Sequence, residues 1–155
     1  KVLIVGDGAV AASLENNASK SSASEHFIFT GRVPHEEVES YYSLIDIAPF
    51  PRLSLPVTEM VSPLKPFEAM AMEKLVIASD VAALEEIVNH EVTGLLFKKD
   101  DVNSLTNALE LGITDSTLRI RLGKQAREWV KAERDWPILA KKITDLYESL
   151  TNTTG

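Results

Sequence analysis

The sequence predicts an α/β fold in which a parallel sheet is flanked by helices. Short apolar runs such as VLIV (2–5) and LVIAS (75–79) alternate with stretches of helical apolar spacing. Strands that are apolar on both faces belong in sheets covered on both sides, and helical crossovers of right-handed sense connect them. The 155 residues, 45% hydrophobic and 25% charged, are enough to bury one core.

The elements follow in order. VLIV is a buried strand candidate closed by Gly6-Asp7-Gly8, and small residues from Ala9 to about Ser22 begin a helix. HFIFTG (26–31) is the second strand. Val38, Tyr41, Tyr42 and Ile45 stand at helical spacing after Pro34, and IDIAPF (45–50) forms the third strand. PRLSLPVTEMVSP (51–63) reads as a proline-rich loop, PFEAMAM (66–72) as a short helix and LVIAS as the fourth strand. ALEEIVN (83–89) continues as a helix, and GLLF (94–97) is a short fifth strand. Helices over 102–111, 116–133 and 137–150 finish the chain, with Asp100/Asp101 and Asp115 as caps and Pro137 opening the last. Residues 1–150 read as one domain and TNTTG (151–155) as a polar tail expected to fray.

Composition narrows the function. Sixteen basic against 23 acidic side chains give a net charge of −7, which argues against a nucleic-acid surface. Without Cys there is no disulfide framework, thiolate metal site or cysteine nucleophile, which fits a reducing, cytoplasmic location. No apolar run approaches the ~20 residues needed to span a bilayer, and no secretory signal pattern is present. The chain opens at Lys1, without Met, directly in a strand-like run, so it is expected to be a piece of a longer protein.

Parallel sheets bind ligands at the carboxyl ends of their strands. The site should therefore draw on residues 6–8, 30–33, 49–65 and 79–83. Gly6-Asp7-Gly8-Ala9-Val10-Ala11 fits a loose dinucleotide fingerprint, with alanine for the third glycine. The second strand ends Phe29-Thr30-Gly31, without the acid that would grip a ribose, and a tight turn is the alternative reading. Arg32, in Gly31-Arg32-Val33-Pro34, stacks on a base, meets a phosphate or stays solvated. His35-Glu36-Glu37 invites a metal or acid–base reading, but first-turn acids that complement a helix dipole are the preferred one.

The segment from Thr58 to Asp80 is the most informative. Lys65 precedes Pro66 and should act as a cap, with Pro66 first in the helix, free amides at Phe67 and Glu68, and Glu68 in the first turn. A helix mouth of this kind holds anions such as phosphate, and a neighbouring carboxylate holds sugar hydroxyls. Ser62 and Lys65 flank the mouth, and Thr58 and Glu59 lie just upstream, facing either ligand or water. Met70 and Met72 suit the core, Trp129 and Trp136 read as packing anchors, and His26 and His90 lack visible partners. There is no Ser/His/Asp order, zinc-ligand spacing or P-loop.

Together these residues resemble the carboxyl-terminal, nucleotide-sugar-binding half of retaining GT-B glycosyltransferases of the group 1 family. The resemblance rests on VLIVGDG (2–8), FTGRVPHEEVESYYSLIDI (29–47), PLKPFEAMAM (63–72), VIASDVAALEEIV (76–88) and EVTGLLFKKDDVNSLTNAL (91–109), with LRIRLGKQAREWV and DWPILAKKITDLYESL closing it. It implies a Rossmann-like sheet forming one half of a GT-B fold. It also implies that Glu68, the second of a glutamate pair, holds the nucleotide ribose. By the same resemblance the backbone from Ser62 through Leu64 to Lys65 holds diphosphate or sugar, Gly31, Arg32 and Val33 form the base-binding edge, and Gly6 and Gly8 line the cleft. Glu59 is the candidate sugar-contacting or catalytic acid.

Some positions depart from the family. Glu59 and Glu68 have eight residues between them, one more than is usual, so Met60 takes the expected first position. Val61, Ser62 and Pro63 replace the usual glycines, and Ala82-Ala83 stands where paired glycines are common. The strand and helix that normally open this half, with an Arg and a Lys for the diphosphate, do not precede Lys1.

The resemblance implies transfer of a sugar from a nucleoside-diphosphate sugar to an acceptor hydroxyl, with retention and without a required cofactor or metal. The partner is the amino-terminal acceptor-binding half, through which any membrane association would occur, and this piece alone is expected to be inactive. The alternatives are a Rossmann-like module that holds NAD or another nucleotide without transferase activity, and a non-catalytic scaffold domain.

Overall fold

The computed structural model describes residues 1–152, and the chain falls into two compact units, Lys1–Ile45 and the part from Asp46 onward. Each unit is a parallel α/β arrangement. In the first, β1 (Val2–Val5) pairs in parallel with β2 (Phe27–Gly31) across the connecting helix α1 (Ala11–Ser19). The register shifts between Ile4 and Val5, so that Val5 stands opposite Gly31. A 3-10 turn at His35–Glu37 then leads into α2 (Val38–Leu44). VLIV, expected to be buried, leaves Val2 and Val5 45% and 40% exposed. The reason is the narrowness of its sheet, because two strands give their residues few neighbours to pack against.

The second unit holds the core. Its strands β3 (Ile47–Phe50), β4 (Leu75–Ser79) and β5 (Leu95–Phe97) pair in the order β3-β4-β5, all parallel. The central strand β4 is buried at every position, as an uninterrupted LVIAS run demands. The helices of this unit are α3 (Pro56–Met60), α4 (Lys65–Ala71), α5 (Ala82–Glu85), α6 (Val102–Thr114), α7 (Ser116–Glu133) and α8 (Trp136–Asn152). Leu75, Ile77, Leu95, Phe97, Ala108 and Leu122 form the buried cluster where the sheet meets α6 and α7. Helices α6 and α7 are capped as expected. Asp101 accepts from Ser104 N at 3.0 Å and Asp115 from Leu118 N at 2.8 Å.

Three local expectations change. The proline-rich loop contains the short helix α3, since Pro56 takes the first helical position, where no amide is needed, and Thr58 Oγ1 accepts from Leu55 N at 3.0 Å. The helix expected over 83–89 ends at Glu85, and beyond it Asn89 N donates to Thr93 Oγ1 at 2.9 Å instead of continuing the helical ladder. Helix α8 runs on to Asn152, past the expected start of the tail, and residues 153–155 lie outside those described. Trp136, expected as a packing anchor, is 81% exposed among the described residues, whereas Trp129 stacks on Phe67 with ring centroids 6.2 Å apart.

Candidate functional site

At the carboxyl ends of β1 and β2, Gly6 N donates to the Gly31 carbonyl at 2.8 Å. Both glycines have positive φ (137° and 67°), which an L side chain would resist, and this lets the two strand ends meet directly. Ala11 N donates to the Gly8 carbonyl at 2.9 Å to start the following helix. The turn carrying Gly6 and Gly8 therefore adjoins the segment carrying Arg32, which is exposed, and Val33, which is half-buried.

In the second unit the segments after β3, β4 and β5 converge on Glu59. Its Oε1 accepts from Ser54 Oγ at 2.6 Å and from Lys99 Nζ at 2.7 Å, and its Oε2 accepts from Ala82 N at 2.7 Å. The Lys99 hydrogen bond, reinforced by those from Ser54 and Ala82, holds the Glu59 carboxyl at about 2, well below its ordinary value of 4.5. Reciprocally, the hydrogen bond to Glu59 raises the Lys99 ammonium. Asp80 Oδ1 accepts from Lys99 N at 2.6 Å, and Asp100 Oδ1 accepts from Ser54 N at 3.2 Å. Arg52 N donates to the buried Ser79 Oγ at 3.1 Å, while its Nη1 donates to the Val61 carbonyl at 2.7 Å.

Helix α4 begins one residue earlier than expected. Lys65 is its first residue and Pro66 its second, and the amides of Phe67 and Glu68 are not free: both donate to the Leu64 carbonyl, at 3.0 and 3.3 Å. A residue before proline disfavours the helical region but is not barred from it, and the first helical turn tolerates proline because its amide is not needed there. Ser62, Leu64, Lys65 and Glu68 are all exposed, with Glu68 in the first turn as expected. Phe67 of α4 stacks on Trp129, with the Arg134 guanidinium 5.7 Å from the Phe67 ring centre and 5.2 Å from that of Trp129.

Gly6, Gly8, Arg32 and Val33 thus belong to the first unit, and Glu59, Ser62, Leu64, Lys65 and Glu68 to the second. Sequence reasoning placed Ser54 and Asp80 within its site loops without naming them as site residues, and missed Lys99 and Asp100. The signal was available, because Lys98-Lys99-Asp100-Asp101 follows GLLF and so marks the carboxyl end of the fifth strand. His90 also has a partner, since Leu96 N donates to its Nδ1 at 2.9 Å. Among the described residues, no group of three His, Asp or Glu side chains is placed to hold a metal ion.

The family model for glycosyl transferases group 1 matches residues 1–129. The chain belongs to this family. Among the family's characterised relatives, a GDP-mannose-dependent alpha-(1-6)-phosphatidylinositol monomannoside mannosyltransferase of Mycobacterium tuberculosis is 30% identical over 146 residues, which is 93% of this chain and 38% of that protein. Sucrose-phosphate synthase from Thermosynechococcus elongatus superposes on 98% of the chain with a TM-score of 0.81 and 30% identity, covering 39% of its own length. Anabaena HepE in complex with UDP-glucose shares the fold, with a TM-score of 0.79 and 19% identity over 95% of this chain and 40% of its own. This group 1 chain therefore spans about two-fifths of the length of these relatives, with the Rossmann-like α/β architecture found in one half of a GT-B fold.

Proposed function

We propose that this chain is the nucleotide-sugar donor-binding part of a glycosyltransferase that passes a sugar from a nucleoside diphosphate to an acceptor hydroxyl with retention. The observation that carries the reading is the group 1 match over residues 1–129. The mannosyltransferase relative named for GDP-mannose and the HepE complex with UDP-glucose support a nucleoside-diphosphate sugar as donor.

In this reading Glu68 holds the ribose hydroxyls, the backbone from Ser62 through Leu64 to Lys65 meets the diphosphate, and Arg32 and Val33 border the base. Gly6 and Gly8 give close backbone approach to the ligand. Charge developing on the departing diphosphate is stabilised by cations and oriented amides, and no cofactor is required. The acceptor is held by a separate amino-terminal half, through which any membrane association runs, and the activity belongs in the cytoplasm. The chain by itself transfers no sugar.

A thermal-shift panel of UDP, GDP, ADP and NAD tests this. One nucleoside diphosphate should protect the chain by about 2.7 kcal/mol at a hundredfold excess over its dissociation constant, and Glu68→Ala should abolish that protection. Protection by NAD alone would replace the reading with a nucleotide-binding module, and protection by none would leave a scaffold domain.

A further inference from the structure

Three strand ends of the second unit are tied through a single side chain. Helix α3 turns the segment after β3 back on itself, with Glu59 N donating to the Leu55 carbonyl at 2.9 Å. That turn delivers the Glu59 carboxylate to Ser54 of its own segment, to Ala82 after β4 and to Lys99 after β5. A carboxylate offers about four acceptor positions. Three are filled here, at 2.6 to 2.7 Å, two of them by groups from other segments.

The surrounding contacts point the same way. Asp100 holds Ser54 N from a left-handed backbone conformation (φ 60°), which Asp adopts more readily than most residues other than glycine. Asp80 anchors the amide of Lys99, so the base of the lysine that reaches Glu59 is itself held. Arg52 closes the far end of the loop by joining its own position to the Val61 carbonyl, immediately before Ser62. The side chains of Glu59 and Lys99 are 24% and 36% exposed, so the pair is half-buried and partly screened by solvent.

We propose that Glu59 is a positioning residue whose carboxylate clasps segment 51–61 to the turns at Asp80–Ala82 and Lys99–Asp100, setting the path of the chain into Ser62–Lys65 and Glu68, and that it does not touch the donor sugar. This rests on the donor-site reading above. The one-residue excess between Glu59 and Glu68 has a physical counterpart here, because the acid is turned toward its own fold and bound there.

The experiment compares the wild-type chain with E59Q, K99M and the double variant in two measurements. Hydrogen exchange without ligand reads the clasp alone. Each single variant should speed exchange across residues 52–62 and at Ala82 at least tenfold, and the double variant should add little to either. Titration with UDP against UDP-glucose, and with GDP against GDP-mannose, reads its consequence. Both variants should weaken the nucleotide and its sugar conjugate by the same factor. Unchanged exchange in the single variants overturns the proposal, as does a tenfold loss in E59Q confined to the sugar conjugate with K99M like wild type. If the wild-type chain binds none of the four probes, the donor-site reading fails while the exchange measurement still decides the clasp. Should E59Q fail to fold, K99M carries the same expectations.

Discussion

Gly123→Ala should destabilise the chain, although alanine is the better helix former by about 1 kcal/mol. Gly123 lies within α7 against the turn joining α4 to β4, and a β-carbon there would sit 2.2 Å from the Glu73 carbonyl oxygen and 2.9 Å from its carbon. Ordinary carbon–oxygen contacts run near 3.3 Å, so the backbone would have to yield by about 1 Å. It is poorly placed to do so. Glu73 N donates to the Met70 carbonyl and Lys74 N to that of Ala69, both at 3.0 Å, which closes a helix C-terminal motif around a residue at φ 57°. Overpacking of this kind costs about 1–3 kcal/mol, and against a pinned carbonyl the upper part of that range applies. The net loss should be about 1–2 kcal/mol, which lowers Tm by roughly 2–8 °C in a chain of this size. Urea denaturation and a thermal melt measure it. Gly112→Ala is the control, since the nearest neighbours of its β-carbon are the side-chain ends of Leu75, Ile47 and Ile77, at 2.7 to 3.3 Å, and it should cost less. A Gly123→Ala chain as stable as wild type, or less harmed than Gly112→Ala, would refute the packing of α7 on this turn.

Two further outcomes follow from the same chemistry. Glu73→Gly should stabilise by about 0.5–1 kcal/mol, because glycine removes the left-handed penalty at φ 57°, and the pair lost with Arg127 at 3.4 Å is largely exposed; a fall in the urea midpoint would contradict this. The Glu59 carboxyl is lowered on folding, so its contribution to stability is complete above about 4.5 and is lost as pH falls through about 2. Lys99 is raised, so its contribution holds below its ordinary 10.5 and is lost only at still higher pH. The difference in urea midpoint between wild type and Glu59→Gln should then stay constant from pH 5 to 9 and shrink between pH 4.5 and 2, and a difference that varies between pH 5 and 9 would exclude this pairing.

Much of the architecture was legible from the chain. An uninterrupted LVIAS run needs cover on both faces and became the central strand, and Asp101 and Asp115 capped α6 and α7 where sequence placed them. Elements set by neighbours were not legible. Trp136 resembles a core residue by composition, but among the described residues it stays 81% exposed. Helix α5 ends where Ile87 N donates to the Leu84 carbonyl at 3.0 Å instead of reaching back to Ala83, which periodicity does not register.

The sequence by itself determined the fold class and the family, because apolar periodicity, caps and strand ends are encoded over a few neighbouring residues. Only the tertiary structure decided how the acids of the loops are used. Glu59 lies 40 residues from Lys99 and 23 from Ala82, and their hydrogen bonds exist because three parallel strands end side by side. Leu64 likewise takes up the amides at the mouth of α4 through the local winding of the backbone. Residue types can suggest which groups are able to bind a ligand. Their commitment to one another is a matter of distance in three dimensions.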